Sequence, residues 1–387
     1  VKTIRILRII ARLNIGGPAL QAITLSAELG DGFQTLLVAG VPDKGEGSFD
    51  DQARAQVKDV VFIQELSRPL HPLRDAIAFF KICLLIRRFK PDIIHTHTAK
   101  AGTLGRLAGI LMRVPVMIHT FHGNVFHGYF SRTHTRMFLG IERFLARRTD
   151  AIVAISDTQK NDLTNRYKVA GADRVRVVPL GFALEAFLNA GAAAGELRGE
   201  LGAARDTVIV GIVGRLVEIK NIAMFLEAAA LIKKQEPKVP LLFVVVGDGH
   251  LRKALEEKAR ALGIKDCVVF LGWRNDIPAI TASFDIAVLC SLNEGTPVSL
   301  IEAMAAGKAV VATDVGGVRD VVQDKLTGEL VPSGDVNAFA ETIRKLINNE
   351  SLRAQYGRSA QRAAAQRFTK ERLIRDITAL YKGFFPA

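Results

Sequence analysis

Two carboxylates eight positions apart, Glu294 and Glu302, bracket Gly295-Thr296-Pro297-Val298 and an apolar run. A Gly turn followed by Thr and Pro marks the passage from a strand to a helix. Thr296 suits the N-cap and Pro297 the first helical position. The unpaired amides and positive dipole end of such a helix favour an anion. A carboxylate on either side of that anion can accept hydrogen bonds from hydroxyls, so the pattern fits a diphosphate carrying a polyol at each end. Taken alone, the same spacing serves equally well for a turn residue and a solvated helix position.

Other segments add to it. In "IVGRLVEIKN" (212–221) Arg215 and Lys220 follow a strand and precede a helix, where two cations suit a diphosphate and an Arg can engage its oxygens in pairs. "GDG" (247–249) is another strand-to-helix turn, but it lacks the G-x-G-x-x-G pattern of a dinucleotide site. Trp273 and Arg274 end a further strand and are candidates to line a base pocket; core packing is the commoner fate of a single Trp. In the first half, Gly16 and Gly17 form a turn whose backbone can approach a phosphate closely. "IHTFHGNVFHG" (118–128) brings His119, His122 and His127, without the acidic partner or H-E-x-x-H spacing of a zinc site. His122, at a strand end, is the candidate donor to a hydroxyl. "HTHTAKAG" (95–102) adds His95, His97 and Lys100, and the alternation of the two histidines is expected to turn at most one of them toward a ligand. No D-x-D occurs, so no metal is expected and Arg215 and Lys220 would neutralise the diphosphate.

These residues need a scaffold that gathers strand ends. Short β-branched runs alternate with helical patterns along the chain. Strands are expected at 4–10, 33–40, 60–66, 92–97, 114–122, 150–156 and 175–181, then at 208–216, 240–249, 267–273, 285–292 and 309–317. Continuous apolar strands separated by helices indicate parallel sheets covered on both faces. Two such series indicate an α/β chain of two doubly wound, Rossmann-like domains with ligands at the C-terminal ends of their strands, in a cleft between the domains. The expected seam is the Ala/Gly-rich stretch 188–206, which has room for a short helix, and the pattern after Val331 is helical. The expected domains are 1–187, 188–367 and a final helix within 368–387.

Charge is uneven. Residues 1–185 carry 26 Lys+Arg against 16 Asp+Glu, and the remainder 26 against 23, so the first half is the one expected to meet something anionic. "FHGYFSRTHTRMFLGIERFLARRTD" (126–150) mixes aromatic and arginine residues, a pattern shared by helices on anionic bilayers and by helices packed on a sheet. Cys83, Cys267 and Cys290 lie in separate apolar runs and read as buried thiols of a reducing compartment. The opening residues lack a secretory pattern, so the cytoplasm, with contact at a membrane surface, is the expected location. A nicotinamide dehydrogenase lacks its glycine fingerprint here, and a nucleic-acid module lacks its aromatic signature, so no nucleic-acid partner is expected.

Taken together, Gly16–Gly17, "HTFHG" (119–123), "GRL" with Lys220, "GDG" (247–249) and "EGTPVSLIEAMAAGKAVVATDVGG" (294–317) resemble glycosyltransferase family 4, retaining enzymes of the GT-B fold. The resemblance implies a nucleotide-sugar donor, UDP-linked in preference to GDP-linked, and a glycan or lipid-linked acceptor in polysaccharide or glycolipid synthesis. It implies no cofactor and no metal. Arg215 and Lys220 would bind the donor diphosphate and Glu302 the ribose hydroxyls. Glu294 and His122 would contact the donor sugar, with Arg215, Lys220, Glu294 and His122 forming the catalytic set. Gly17, Arg274 and the backbone of Gly295, Thr296, Pro297 and Val298 complete the donor site; Gly16, His97, Lys100 and His122 form the acceptor side. A nucleotide-sugar epimerase or hydrolase of the same fold, or a basic binding protein, is the alternative.

Overall fold

The computed structural model describes residues 3–42, 47–66, 71–123 and 132–385. The chain forms two compact units, Val1–Phe182 with Lys370–Ala387, and Ala183–Thr369. The first holds a parallel sheet of β1 (Ile4–Ile10), β2 (Phe33–Gly40), β3 (Asp59–Ile63), β4 (Ile93–His97), β5 (Val116–Phe121), β6 (Ala151–Ala154) and β7 (Val175–Val177), in the order β3-β2-β1-β4-β5-β6-β7. The second holds β8 (Val208–Val213), β9 (Leu241–Val246), β10 (Val268–Gly272), β11 (Ile286–Leu289), β12 (Ala309–Thr313) and β13 (Gly328–Val331), in the order β10-β9-β8-β11-β12-β13. Each order reverses once, between β1 and β4 and between β8 and β11. A doubly wound sheet opens its ligand crevice at that switch point, beyond the strand C-termini.

The strands fit this role because both faces are covered. Ile6, Leu7, Ile9 and Ile10 of β1 and Val244, Val245 and Val246 of β9 are buried almost completely. The edge strand β13 has no counterpart among the expected strands; its "GELV" is too short and too mixed to stand out in sequence. The stretch 188–206 is largely helical, with a 3-10 turn at Ala190–Ala193 and a helix at Ala194–Glu200. The C-terminal helix Lys370–Lys382 returns to the first unit, where Leu373, Ile377 and Tyr381 join the core beside Ile6, Ile93 and Val153. Cys290 is buried, whereas Cys83 and Cys267 are only partly so, and all three are free thiols.

The expectation that His95 and His97 face opposite ways is wrong. Residues two apart on a strand share a face, and the two rings stack with centroids 4.4 Å apart. Both are fully buried. Arg8 lies opposite His95 in the ladder, and its side chain is fully buried beneath them.

Candidate active site

In the second unit the switch point is built from three loops that hold one another. After β8, Arg215 is exposed and has no side-chain partner among the described residues. A 3-10 turn, Glu218–Lys220, then carries Lys220 inward, where its ammonium pairs with Glu294. Glu294 follows β11 and also accepts a 2.7 Å hydrogen bond from Ser291. The β8 and β11 loops are tied by Leu292 N–H to the Ile219 carbonyl at 2.8 Å. A third loop, after β12, closes on the second: the Gly317 amide donates to the Glu294 carbonyl at 3.0 Å. This approach requires glycine. A Cβ at Gly317 would lie 1.8 Å from the Gly295 carbonyl oxygen, and Gly316 is at φ +50 with its would-be Cβ 2.0 Å from the Glu294 carbonyl oxygen.

The helix after this loop is Val298–Ala305, one residue later than expected, with Pro297 rather than Thr296 at the N-cap and no side-chain cap. Proline has no side-chain acceptor, so the first-turn amides are left for a ligand. Glu302 sits one turn along, half-buried and without a hydrogen-bond partner among the described residues. Burial pushes its carboxyl up to about 7. Arg274, expected in the donor site, is already paired: its guanidinium forms bonds of 2.7 and 3.0 Å to Glu200 and of 2.8 and 2.6 Å to Asp276. Trp273 is 62% exposed, so core packing does not account for it.

At the first unit's switch point Gly16, six residues beyond the end of β1, is the N-cap and Gly17 the first residue of the helix Gly17–Ala27. Thr98, which follows β4, holds φ 66 and ψ 158, a region nearly restricted to glycine. Its hydroxyl accepts from the Ala11 amide at 3.3 Å, joining the loops after β1 and β4. Lys100 pairs with Asp75 at 2.5 Å, so the acceptor-side cation is already matched by a carboxylate.

The histidines form a chain that is fully buried at His95 and His97 and half-buried at His122. Arg8 Nη1 lies 3.1 Å from His95 Nδ1 and 3.2 Å from His97 Nε2. His97 Nδ1 lies 2.9 Å from His122 Nε2. His95 also meets Tyr381 at 2.5 Å and Thr120 at 2.7 Å. Burial lowers all these imidazoles, with Arg8 the next cause for His95 and His95 the next for His97. His122 is brought down to about 3 by burial, so it is neutral near pH 7. His119 is on the other face, 2.8 Å from Thr96, and Gly102 gives it room, since a Cβ there would fall 2.5 Å from its ring. No group of metal-ligating side chains occurs among the described residues. His127 lies outside the described residues. The Arg8 partnership went unread in sequence because an arginine inside a strand looks like an interruption, and its register with His95 exists only in the folded sheet.

Two doubly wound units, each with polar groups gathered at its switch point, are the two units of the GT-B fold. The family model described as "Glycosyltransferase Family 4" matches residues 15–186, and that of "Glycosyl transferases group 1" matches 194–363. The chain is 30% identical to the Escherichia coli UDP-Gal:alpha-D-GlcNAc-diphosphoundecaprenol alpha-1,3-galactosyltransferase, over 78% of this chain and 77% of that one. It is 27% identical to the Bacillus subtilis putative glycosyltransferase EpsD, over 78% of each. Among solved structures, Anabaena Alr3699/HepE in complex with UDP superposes with a TM-score of 0.81 at 24% identity, covering 98% of this chain and 100% of that one. The chain belongs to glycosyltransferase family 4.

Proposed function

We propose that this chain is a retaining hexosyltransferase that moves a sugar from a UDP-sugar to a hydroxyl of a glycan or lipid-linked acceptor. The observation that carries the reading is the joining of the β8 and β11 loops, which brings Lys220, Glu294 and the free amides of Val298–Ala305 to one switch point that Arg215 borders. The second unit holds the donor: Arg215, Lys220 and the amides take the diphosphate, and Glu302 the ribose. The first unit takes the acceptor near Gly16, Gly17 and Lys100, and His122 donates to a hydroxyl of the transferred sugar; His97, expected on the acceptor side, is fully buried with its ring nitrogens on Arg8 and His122 and so acts from behind His122. The printed names of relatives support the choice of UDP and of a lipid-linked acceptor.

The bond between the anomeric carbon and the diphosphate breaks first, and charge grows on the leaving group. Cations and amides already in place stabilise that charge most in the transition state. The acceptor oxygen then bonds to the same face of the anomeric carbon while its proton passes to a donor phosphate oxygen. No step calls for a metal. Thermal shift with UDP, GDP and ADP, followed by transfer assays with UDP-sugars, tests this reading. Selective stabilisation by UDP and a product of unchanged anomeric configuration are expected. Release of free sugar or an epimer without an acceptor would refute it.

Peripheral contact with an anionic membrane is also proposed, at a different helix from the one the sequence singled out. Residues 124–131 of that stretch lie outside the described residues. Its helix Arg132–Ala146 is fastened to the unit by a buried Arg106–Glu142 pair at 2.6 Å and by buried Leu145. The helix Pro72–Phe89, in contrast, leaves Leu73, Ile77, Phe80 and Leu84 exposed along one stripe, beside exposed Arg74, Arg87 and Arg88. Like charges beside the stripe disfavour pairing with a second copy and favour acidic lipid. No helix among the described residues is long and apolar enough to cross a membrane. Flotation with acidic vesicles should be lost in Phe80→Ser/Leu84→Ser; flotation equal to the parent chain would refute this placement.

A further inference from the structure

We propose that Arg8 and His97 are positioning residues that fix the tautomer of His122, so that His122 presents an Nδ1–H to the ligand. The inference deepens the reading of His122 as a sugar contact and rests on it. It follows from donors and acceptors alone. A guanidinium carries only donors, so His97 Nε2, 3.2 Å from Arg8 Nη1, must be an acceptor. A neutral His97 then keeps its proton on Nδ1, which lies 2.9 Å from His122 Nε2 and donates to it. His122 in turn carries its own proton on Nδ1. That atom is buried and has no partner among the described residues. A buried donor left unpaired is costly, and an oxygen of the ligand removes the cost.

The other branch of the network agrees. His95 Nδ1 accepts from Arg8 at 3.1 Å and from the Tyr381 hydroxyl at 2.5 Å, so its proton sits on Nε2 and donates to Thr120 at 2.7 Å. Arg8 is held in place by Nε–H to Ser26 at 3.1 Å and Nη2–H to the Leu25 carbonyl at 3.2 Å. No carboxylate is bonded to it among the described residues. The buried cation thus spends its donors on imidazoles, a carbonyl and a hydroxyl. One arginine imposes opposite tautomers on two stacked histidines, and the C-terminal helix contributes to the arrangement through Tyr381.

The test is nitrogen-15 NMR of the full chain labelled at histidine, with the His122 signals assigned by their loss in His122→Gln. The parent chain should show neutral His122 protonated at Nδ1. His97→Asn keeps an amide donor near the Nδ1 position and should preserve that tautomer; His97→Leu should shift it toward Nε2–H. Arg8→Met should shift it the same way where it folds, and the His97 pair decides the matter where it does not. In His97→Leu the turnover number should fall by about tenfold or more while donor KM changes little, as for other wrong-tautomer histidines, and His97→Asn should recover part of the loss. An Nε2–H tautomer in the parent chain, or one unmoved by His97→Leu, would overturn the proposal. Absence of transfer by the parent chain would sink the enzymatic reading and leave the tautomer result standing, so the two failures are distinguishable.

Discussion

The two switch points share a topology and differ in chemistry. In the second unit the polar groups are charged and open: an exposed Arg215, the Lys220–Glu294 pair, and amides at the start of Val298–Ala305. In the first the imidazoles are neutral, fully buried at His95 and His97 and half-buried at His122, and one buried arginine orders them. A site that must absorb the charge of a departing diphosphate needs cations with unspent donors. A site that must orient hydroxyls needs neutral donors held in one tautomer, because a charged imidazole there would pay desolvation without gaining specificity. On the proposed function, the same fold separates charge stabilisation from orientation, one task at each reversal of strand order.

Removing charge from the second unit should give the largest effect. Arg215→Ala is expected to lower turnover roughly hundredfold to thousandfold, the range for deleting one preorganised donor to developing charge. The side chain is exposed and unpartnered, so the melting temperature should stay near that of the parent. Steady-state kinetics together with a thermal melt check both halves; near-normal transfer would break the division of labour. Gly317→Ala should act next, through geometry. Its Cβ meets the Gly295 carbonyl oxygen, so the β12 loop must retreat and carry the Glu294 loop with it. Overpacking of this kind costs about 1–3 kcal/mol, and calorimetry should show UDP affinity falling along with stability.

Proton linkage gives a smaller, directional effect. Burial raises the Glu302 carboxyl to about 7. Between its ordinary value and about 7 the folded chain retains a proton that the unfolded chain has lost. Stability of the free protein from this group therefore declines as pH rises through that window. Binding runs the other way: a ribose hydroxyl donates to the carboxylate, so UDP affinity should increase from about pH 6 to about pH 8. Titration calorimetry across that range should show the rise in the parent chain and its absence in Glu302→Gln. A flat profile in both would remove Glu302 from the ribose.

Legibility in the sequence followed the same divide. All seven strands of the first sheet and five of the six in the second were readable, because they lie in β-branched and apolar runs; β13, four residues of mixed type, was not. The Gly295–Val298 turn was readable from its residue types, although the N-cap fell one residue later. The buried polar network was not readable. Which face His95 shares with His97 follows from strand geometry, but Arg8 reaches both through a ladder pairing 87 residues away, and Tyr381 reaches His95 from 286 residues away. Glu302 shows the same limit: its titration depends on neighbours that only the folded chain assembles.

Arg274 gives the smallest expected effect and sharpens the comparison from the negative side. Its position at the end of β10, in the unit proposed to hold the donor, made it a candidate for the base or the phosphates. The structure commits its fork to Glu200 and Asp276, and those hydrogen bonds hold its own ionisation above the usual arginine range. A cation already matched by two carboxylates offers little net charge to a diphosphate, unlike Arg215. Arg274→Gln should therefore leave UDP affinity within about threefold of the parent, with at most a slight drop in melting temperature. A tenfold or greater loss of affinity would mean that the ligand draws Arg274 away from Glu200, and that the charged half of the molecule extends to β10.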